Sequence, residues 1–208
     1  MTGRHFSMIR NFHLADFFTI LNGFCGVAAL FQAMWFLARA ERWRLDTAAA
    51  LILLALIFDV LDGRIARWRH HASPMGRELD SLADVISFGV APAALGFAAG
   101  LRGGWDWIIL IYFVCCGVSR LARFNVTAEK LAEGSDAGKV KYFEGTPIPT
   151  SVVLTGVLAL EAWRGCVERG ALDGGSFTNG PWELHLLSLL FALSGSLMIS
   201  KTLRIPKF

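Results

Sequence analysis

Charged residues are scarce in this chain. Only 18% of its 208 residues are Asp, Glu, Lys or Arg, whereas a soluble domain carries about a quarter. Tyrosine is nearly absent, with 2 residues against 16 Phe and 7 Trp. Because 54% of the residues are hydrophobic, this composition excludes an ordinary soluble domain and favours an integral membrane protein.

Cysteine is also rare, and no two cysteines have metal-ligand spacing. The 4 cysteines mostly lie in apolar stretches, so they indicate neither a disulfide framework nor a zinc site. The net charge of +3 comes from basic residues between apolar runs, where they serve lipid headgroups and form no face for nucleic acid. Without repeats or an interdomain linker, residues 1–208 are expected to form one membrane domain.

Six segments are long and apolar enough, or nearly so, to cross a bilayer as helices, which takes about 20 residues. They are residues 16–38, 46–70, 77–101, 104–123, 147–164 and 182–203. The preceding segment from His5 to Leu14 alternates basic and apolar residues and predicts a short amphipathic helix at the interface. The predicted fold class is therefore all-α integral membrane, with six transmembrane helices and one N-terminal interfacial helix.

The basic residues predict the orientation of these spans. If the N-terminus is inside, the inner loops carry most of the 20 Lys and Arg residues. The positive-inside rule then places both termini and residues 59–84 on the cytoplasmic side. The first apolar stretch, Phe17 to Leu37, is too long for the core of a cleavable signal peptide and is expected to remain as a span.

Four aspartates stand beside the apolar runs, where a carboxylate is costly and marks a functional site by default. They form the pattern Asp59-x2-Asp62-Gly63-x2-Ala66-Arg67-x8-Gly76-x3-Asp80-x3-Asp84. At about 100° per residue, each pair falls on one face of its helix. A turn at Ser73-Pro74 lets the two faces meet, so the four carboxylates are predicted to share one pocket at the membrane surface.

Four close anions need protons or cations to compensate them. The ligands are all oxygen, which favours Mg²⁺ or Mn²⁺ over zinc, and two such ions suit phosphoryl transfer. The small residues Gly63, Ala66 and Gly76 leave room for a nucleotide, while Arg67 offers a fork for phosphate. A cation or proton transporter is a distant alternative, because it would spread its carboxylates along a path through the bilayer.

The spacing from Asp59 to Asp84 resembles the signature of the CDP-alcohol phosphotransferase family, integral membrane enzymes of phospholipid synthesis. Thr19-x2-Asn22 is similar to the family's element in the first span. The resemblance implies two metal ions held by the four aspartates, with Asp84 as general base. It also implies a homodimer. The expected location is a bacterial-type inner or plasma membrane, and the distribution of basic residues places the active site at its cytoplasmic face. The residues it implies for CDP-diacylglycerol binding are Asn22, Asp62, Gly63, Ala66, Arg67, Ser73 and Gly76.

Three further elements are similar to the phosphatidylserine synthases of that family, namely residues 87–92, 120–125 and 143–149. This similarity implies L-serine as the acceptor, with glycerol 3-phosphate or inositol phosphate as alternatives. Serine is a zwitterion, so its carboxylate needs a cation. Arg120 and Arg123, with Asn125 and Lys141 behind them, are the predicted serine-binding residues. The alternative is that the two arginines anchor the chain to the phosphates of membrane lipids.

Overall fold

The computed structural model describes residues 14–68, 74–133, 142–167, 172, 175–179, 182–200 and 204–206. The helices are α1 (Leu14–Arg39), α2 (Trp43–Trp68), α3 (Pro74–Asp84), α4 (Ala91–Ala99), α5 (Gly104–Glu133), α6 (Val152–Trp163) and α7 (Ser188–Ile199). A π-helical turn, Val85–Val90, continues α3 into α4, and a 3-10 turn, Ile148–Ser151, leads into α6. The strands are β1 (Tyr142–Glu144), β2 (Ser176–Asn179), β3 (Trp182–His185) and β4 (Arg204–Pro206).

Three helical segments of the described chain are long and apolar enough to cross a membrane. They are Ala15–Arg39, Met75–Ala99 and Gly104–Thr127, which correspond to the predicted first, third and fourth spans. The segment from Met75 to Ala99 stays helical through the π-helical turn. The prediction of a mostly helical membrane protein is therefore confirmed.

The other three predicted spans are less complete. α2 contains 26 residues, but charged residues near both of its ends leave an uncharged stretch only from Thr47 to Phe58. α6 and α7 contain 12 residues each, fewer than the about 20 of a full crossing. The six-span arrangement therefore stays a prediction. The interfacial helix over residues 5–14 lies outside the described residues, except for Leu14, where α1 begins.

The outer face of α1 shows which environment the helices suit. Phe17, Phe24 and Phe31 recur every seven residues and are 55%, 67% and 57% exposed. Cys25 and Ala29, on another face of the same helix, are buried. A row of exposed aromatic side chains would be unfavourable in water but suits contact with hydrocarbon. The face that carries the phenylalanines therefore agrees with a membrane location.

Two small antiparallel sheets depart from the all-α prediction. β2 pairs with β3, and β1 pairs with β4. Strands of three or four residues are too short to show a period of two clearly, although the sequence Gly180-Pro181 between β2 and β3 is a turn signal. As a consequence, the predicted sixth span begins as a strand at Trp182, and its helix begins only at Ser188.

The hairpin formed by β2 and β3 is joined to the N-terminal end of α5 through Asp106. The fully buried carboxylate of Asp106 accepts hydrogen bonds from the backbone N–H groups of Gly103 at 2.9 Å and His185 at 2.8 Å. It also contacts Nδ1 of His185 at 2.5 Å. Arg120 follows 14 residues later on the same helix, which corresponds to about 21 Å. The hairpin therefore contacts the N-terminal end of α5, about four helical turns before Arg120.

Candidate active site

α2 and α3 bring three of the predicted aspartates together. Asp59 and Asp62 lie one turn apart near the C-terminal end of α2, and Asp80 lies one turn before the end of α3. One carboxylate oxygen from each of the three lies within 4.8 Å of the other two. Asp84 is 6% exposed, and its carboxylate interacts electrostatically with those of all three. The structure thus brings the two acidic helix faces into one site.

α1 supplies hydrogen-bond donors to two of these carboxylates. Thr19 donates its Oγ1 hydroxyl to Oδ2 of Asp62 at 2.7 Å, and the backbone N–H of Gly63 also donates to Asp62. One turn further along α1, Asn22 donates Nδ2 to Oδ1 of Asp84 at 3.1 Å. All four side chains in these two pairs are buried. Since buried polar groups need partners, these bonds fix how Asp62 and Asp84 are oriented.

Two glycines let α1 approach the α3 side of the site closely. A Cβ added to Gly26 would lie 2.8 Å from Cα of Ser87, so no side chain fits there without a shift of backbone. At Gly23 an added Cβ would lie 3.6 Å from Cβ of Ala83, in ordinary contact. The approach at Gly26 allows the hydroxyl of Ser87 to donate to the backbone carbonyl oxygen of Asn22 at 2.9 Å.

Gly63 has a different environment. A Cβ added at this position would meet nothing within 4 Å among the described residues. Glycine inside a helix costs about 0.5–1 kcal/mol relative to alanine, and packing within the described chain gives no reason for that cost. A glycine next to Asp62 does leave space for a ligand to approach the helix backbone, as expected for a nucleotide contact.

The acidic cluster fits a hard divalent cation. Its donors are carboxylate oxygens from Asp59, Asp62 and Asp80, the ligand type that Mg²⁺ and Mn²⁺ prefer. Oδ1 of Asp80 is buried and has no hydrogen-bond partner among the described residues. A buried carboxylate oxygen without a partner is costly, and a cation would compensate it. Asp84 is not one of the three closely grouped carboxylates, so its role as a fourth ligand stays a prediction.

The predicted serine-binding residues of α5 occupy different surroundings. Arg120 is half-buried, interacts electrostatically with Asp84, and has no partner for Nε among the described residues. Arg123 donates Nη2 to the carbonyl oxygen of Ile199, at the end of α7, at 3.4 Å. Nε of Arg123 likewise has no partner among the described residues.

Asn125 connects α5 to α3. Its Nδ2 donates to Oγ of Ser81 at 3.0 Å and to Oε2 of Glu78 at 3.1 Å. Oγ of Ser81 in turn donates to Oδ1 of Asn125 at 3.3 Å. The amide is therefore engaged with the helix that carries Asp80 and Asp84.

The remaining predicted site residues are less fully described. Gly76 lies in the first turn of α3 and is half-buried. Ala66 and Arg67 belong to α2, but their side chains lie outside the described part of the structure. Ser73 and Lys141 also lie outside the described residues. Their predicted roles stay predictions.

Comparison with known families agrees with this geometry. The profile of CDP-alcohol phosphatidyltransferases matches residues 12–177, which include the four aspartates and both of their partners on α1. The chain belongs to the CDP-alcohol phosphatidyltransferase family. This family membership makes the protein a transferase of phospholipid biosynthesis, and the acidic cluster on α2 and α3 is its candidate active site.

Several curated relatives of this CDP-alcohol phosphatidyltransferase carry one name, CDP-diacylglycerol–serine O-phosphatidyltransferase. The protein of that name from Saccharomyces cerevisiae is 46% identical over 98% of this chain and 74% of its own length. The Helicobacter pylori protein is 35% identical over 87% of this chain and 69% of its own length. The Mycobacterium leprae protein is 43% identical over 55% of this chain, a match that spans only 38% of the relative.

Three polar residues near the site make contacts that the sequence did not predict. Thr19 belongs to a recognisable element, but only the fold shows that it donates to Asp62. Ser87 shares a helix face with Asp80 and Asp84, yet its partner is the backbone of α1. Asp16 acts electrostatically on Asp62. The spacing of Asp16, Thr19 and Asn22, three residues apart, was the available signal, because it places them on one helix face.

Proposed function

We propose that this protein transfers the phosphatidyl group of CDP-diacylglycerol to the hydroxyl of L-serine, giving phosphatidylserine and CMP. The observation that carries the proposal is the group of three carboxylates within 4.8 Å beside the buried Asp84. Family membership supplies the reaction class, and the printed names of the relatives supply the acceptor. We also propose that residues 1–208 act as one membrane domain.

Asp84 is the proposed general base. A serine hydroxyl is a weak nucleophile, and a carboxylate within hydrogen-bond reach contributes about 10²–10⁴-fold to such a step. Asp84 takes the hydroxyl proton while the serine oxygen bonds to the phosphorus that carries the diacylglycerol group. The bond from that phosphorus to the bridging oxygen of the pyrophosphate breaks, and CMP leaves with the electron pair.

The other carboxylates are the proposed metal ligands. Two divalent ions, Mg²⁺ or Mn²⁺, bound by Asp59, Asp62 and Asp80 with Asp84, would neutralise the pyrophosphate and stabilise CMP as it leaves. Thr19 keeps one oxygen of Asp62 engaged at 2.7 Å. That hydrogen bond limits rotation of the carboxylate, so that Asp62 would present one oxygen to a metal ion beside Asp59 and Asp80.

The nucleotide is proposed to lie along the end of α2. The open space above Gly63 supports this placement, and Ala66 follows on nearly the same helix face. Arg67 would bind phosphate through its fork. Gly76 and Ser73 complete the proposed contacts from the start of α3 and the residues before it. The acyl chains need no polar pocket and are proposed to extend into the bilayer.

Arg120 is the proposed partner of the serine carboxylate. Arg120 interacts electrostatically with Asp84, and its Nε, like that of Arg123, has no partner among the described residues. A serine bound to Arg120 would carry its hydroxyl towards the proposed base. Arg123 and Asn125 have protein partners, so we assign them to holding α7 and α3 in place. A contact from Lys141 to serine remains part of the proposal.

The membrane arrangement is also proposed. Six spans with both termini inside would place the aspartates at the cytoplasmic face of a bacterial-type inner or plasma membrane, where soluble serine meets a lipid donor. An impermeant maleimide should then label Ser176→Cys from outside intact cells and Thr127→Cys only after permeabilisation. The reverse pattern would contradict the orientation. Cross-linking in the membrane should give a homodimer.

The function is tested by CMP release. Purified protein would be incubated with CDP-diacylglycerol and Mg²⁺ or Mn²⁺, and separately with L-serine, glycerol 3-phosphate or inositol phosphate. We expect CMP release with serine, and phosphatidylserine in the lipid extract. Release only with a phosphorylated acceptor would reject serine but keep the reaction class. No release with any acceptor, together with metal-dependent ion flux in liposomes, would reject the enzyme in favour of a transporter.

A further inference from the structure

We propose that Asn22 is a positioning residue for Asp84 and not a direct contact of the nucleotide. Asn22 is completely buried, and the donor group of its side chain is directed at Oδ1 of Asp84. This inference rests on the proposed function, because it gives Asn22 the role of orienting Asp84, the proposed general base. It replaces the role in CDP-diacylglycerol binding that the family resemblance suggests for the same residue.

The amide of Asn22 is directed at Asp84. Nδ2 lies 3.1 Å from Oδ1 of Asp84, while Oδ1 of Asn22 has no partner among the described residues. The side-chain hydrogen bond that the structure gives Asn22 therefore goes to the proposed base. A solvent-inaccessible side chain is also poorly placed to meet a ligand that enters from outside, since the ligand would have to displace the atoms that bury it.

Both the side chain and the backbone of Asn22 are hydrogen-bonded to the segment that carries Asp84. Ser87, one turn after Asp84, donates its hydroxyl to the backbone carbonyl oxygen of Asn22 at 2.9 Å. The helix carrying Asp84 thus accepts a hydrogen bond from the side chain of Asn22 and returns one to its backbone. The close approach at Gly26 places α1 where both bonds can form.

Thr19, one turn before Asn22 on α1, makes a similar contact to another aspartate of the site. Thr19 donates to Asp62 at 2.7 Å in the same way that Asn22 donates to Asp84. Residues three apart lie on the same side of a helix, so one face of α1 orients one carboxylate from α2 and one from the end of α3. In both pairs the α1 residue contacts a carboxylate of the site.

Positioning and nucleotide binding predict different kinetics for Asn22→Ala. If Asn22 orients the base, the variant should lose about 10²-fold in kcat, the size of effect that a misplaced reacting group produces. Its KM for CDP-diacylglycerol and its affinity for that lipid should stay within about twofold of wild type. Thr19→Val is the matched variant, because it removes the contact to a metal ligand and should raise the Mn²⁺ concentration needed for half-maximal rate.

A double-mutant comparison makes the test specific. If Asn22 acts through Asp84, then Asn22→Ala combined with Asp84→Asn should release CMP no more slowly than Asp84→Asn alone, because effects of residues that act as a unit do not add. A loss of CDP-diacylglycerol affinity in both backgrounds, with kcat retained at saturation, would overturn the proposal in favour of a nucleotide contact. A fall in melting temperature with equal loss of binding and rate would overturn it in favour of a purely structural role.

This experiment is separable from the test of the acceptor. The comparison of Asn22→Ala with wild type uses whichever alcohol supports CMP release by the wild-type protein. Failure of serine as acceptor would therefore leave the proposal for Asn22 open to the same measurement. An unchanged kcat in Asn22→Ala would reject the positioning role even if serine is the acceptor.

Discussion

Gly63→Ala should raise the stability of the protein but weaken its binding of CDP-diacylglycerol. Gly63 lies inside α2, and an added Cβ would meet nothing within 4 Å among the described residues. Alanine is favoured over glycine in a helix by about 0.5–1 kcal/mol. In a protein of this size, that gain corresponds to an increase in melting temperature of about 1–4 °C. The substitution should therefore stabilise the protein in the absence of substrate.

The same methyl group should weaken binding of CDP-diacylglycerol if the nucleotide approaches the backbone at Gly63. Forcing an extra methyl group into a packed contact costs about 1–3 kcal/mol, which corresponds to about 5- to 150-fold in affinity. Thermal unfolding followed by tryptophan fluorescence would measure the first effect. Equilibrium binding of CDP-diacylglycerol in detergent would measure the second.

Gly26→Ala is the matched control. Its added Cβ would lie 2.8 Å from the backbone of Ser87, so this variant should lower the melting temperature. If Gly63→Ala bound CDP-diacylglycerol as well as wild type, the space beside Asp62 would not be the nucleotide site. If Gly63→Ala instead had a lowered melting temperature like Gly26→Ala, Gly63 would not have room for a methyl group.

Three further predictions test the proposed base, the proposed serine contact and the metal. Asp84→Asn should reduce kcat by about 10²–10⁴-fold yet keep CDP-diacylglycerol affinity better than Asp62→Asn does, and equal loss of binding in both would argue against a dedicated base. Arg120→Ala should raise the KM for serine at least about tenfold with little change in the KM for the lipid. Arg123→Ala, which loses the contact to Ile199, should mainly lower the melting temperature. A raised KM for serine in Arg123→Ala but not in Arg120→Ala would refute the choice of Arg120. EDTA should abolish CMP release, Mg²⁺ or Mn²⁺ should restore it, and each active ion should raise the melting temperature because it binds the folded protein. Activity that survives thorough chelation would remove the metal from the proposal.

The acidic site could be predicted because it depends on residues that are close together in the sequence. Asp59 with Asp62, and Asp80 with Asp84, are spaced by three and four residues, so helical periodicity alone places each pair on one face. The turn near Pro74 then needs only to reverse the chain. The structure brings Asp59, Asp62 and Asp80 together as that reasoning requires. The long apolar segments could also be predicted, because the composition of α1 and of the segment from Met75 to Ala99 is apolar enough for a membrane span.

Contacts between distant segments were not predictable in the same way. Asn22 and Asp84 are 62 positions apart, and no spacing rule says which polar residue of α1 will meet which carboxylate. The hydrogen bonds from the amide of Asn125 to α3 also join residues more than 40 positions apart, and its predicted contact with serine stays a prediction. The small sheets depend on pairing between short strands, such as β1 with β4. Their formation is decided by tertiary context, which outweighs weak local β propensity.

The position of α1 explains how an acidic site can exist before a cation binds. The carboxylates on α2 and α3 repel one another, and burial removes the water that would screen them. Thr19 and Asn22 offset part of this repulsion, but a hydrogen bond to a charged group contributes only about 1.5–3 kcal/mol. Close packing at Gly26 must therefore hold α1 against the end of α3 so that the donors stay in reach. Thr19 and Asn22 of α1 thus keep Asp62 and Asp84 near their working geometry, and a bound cation would complete the compensation that these donors begin.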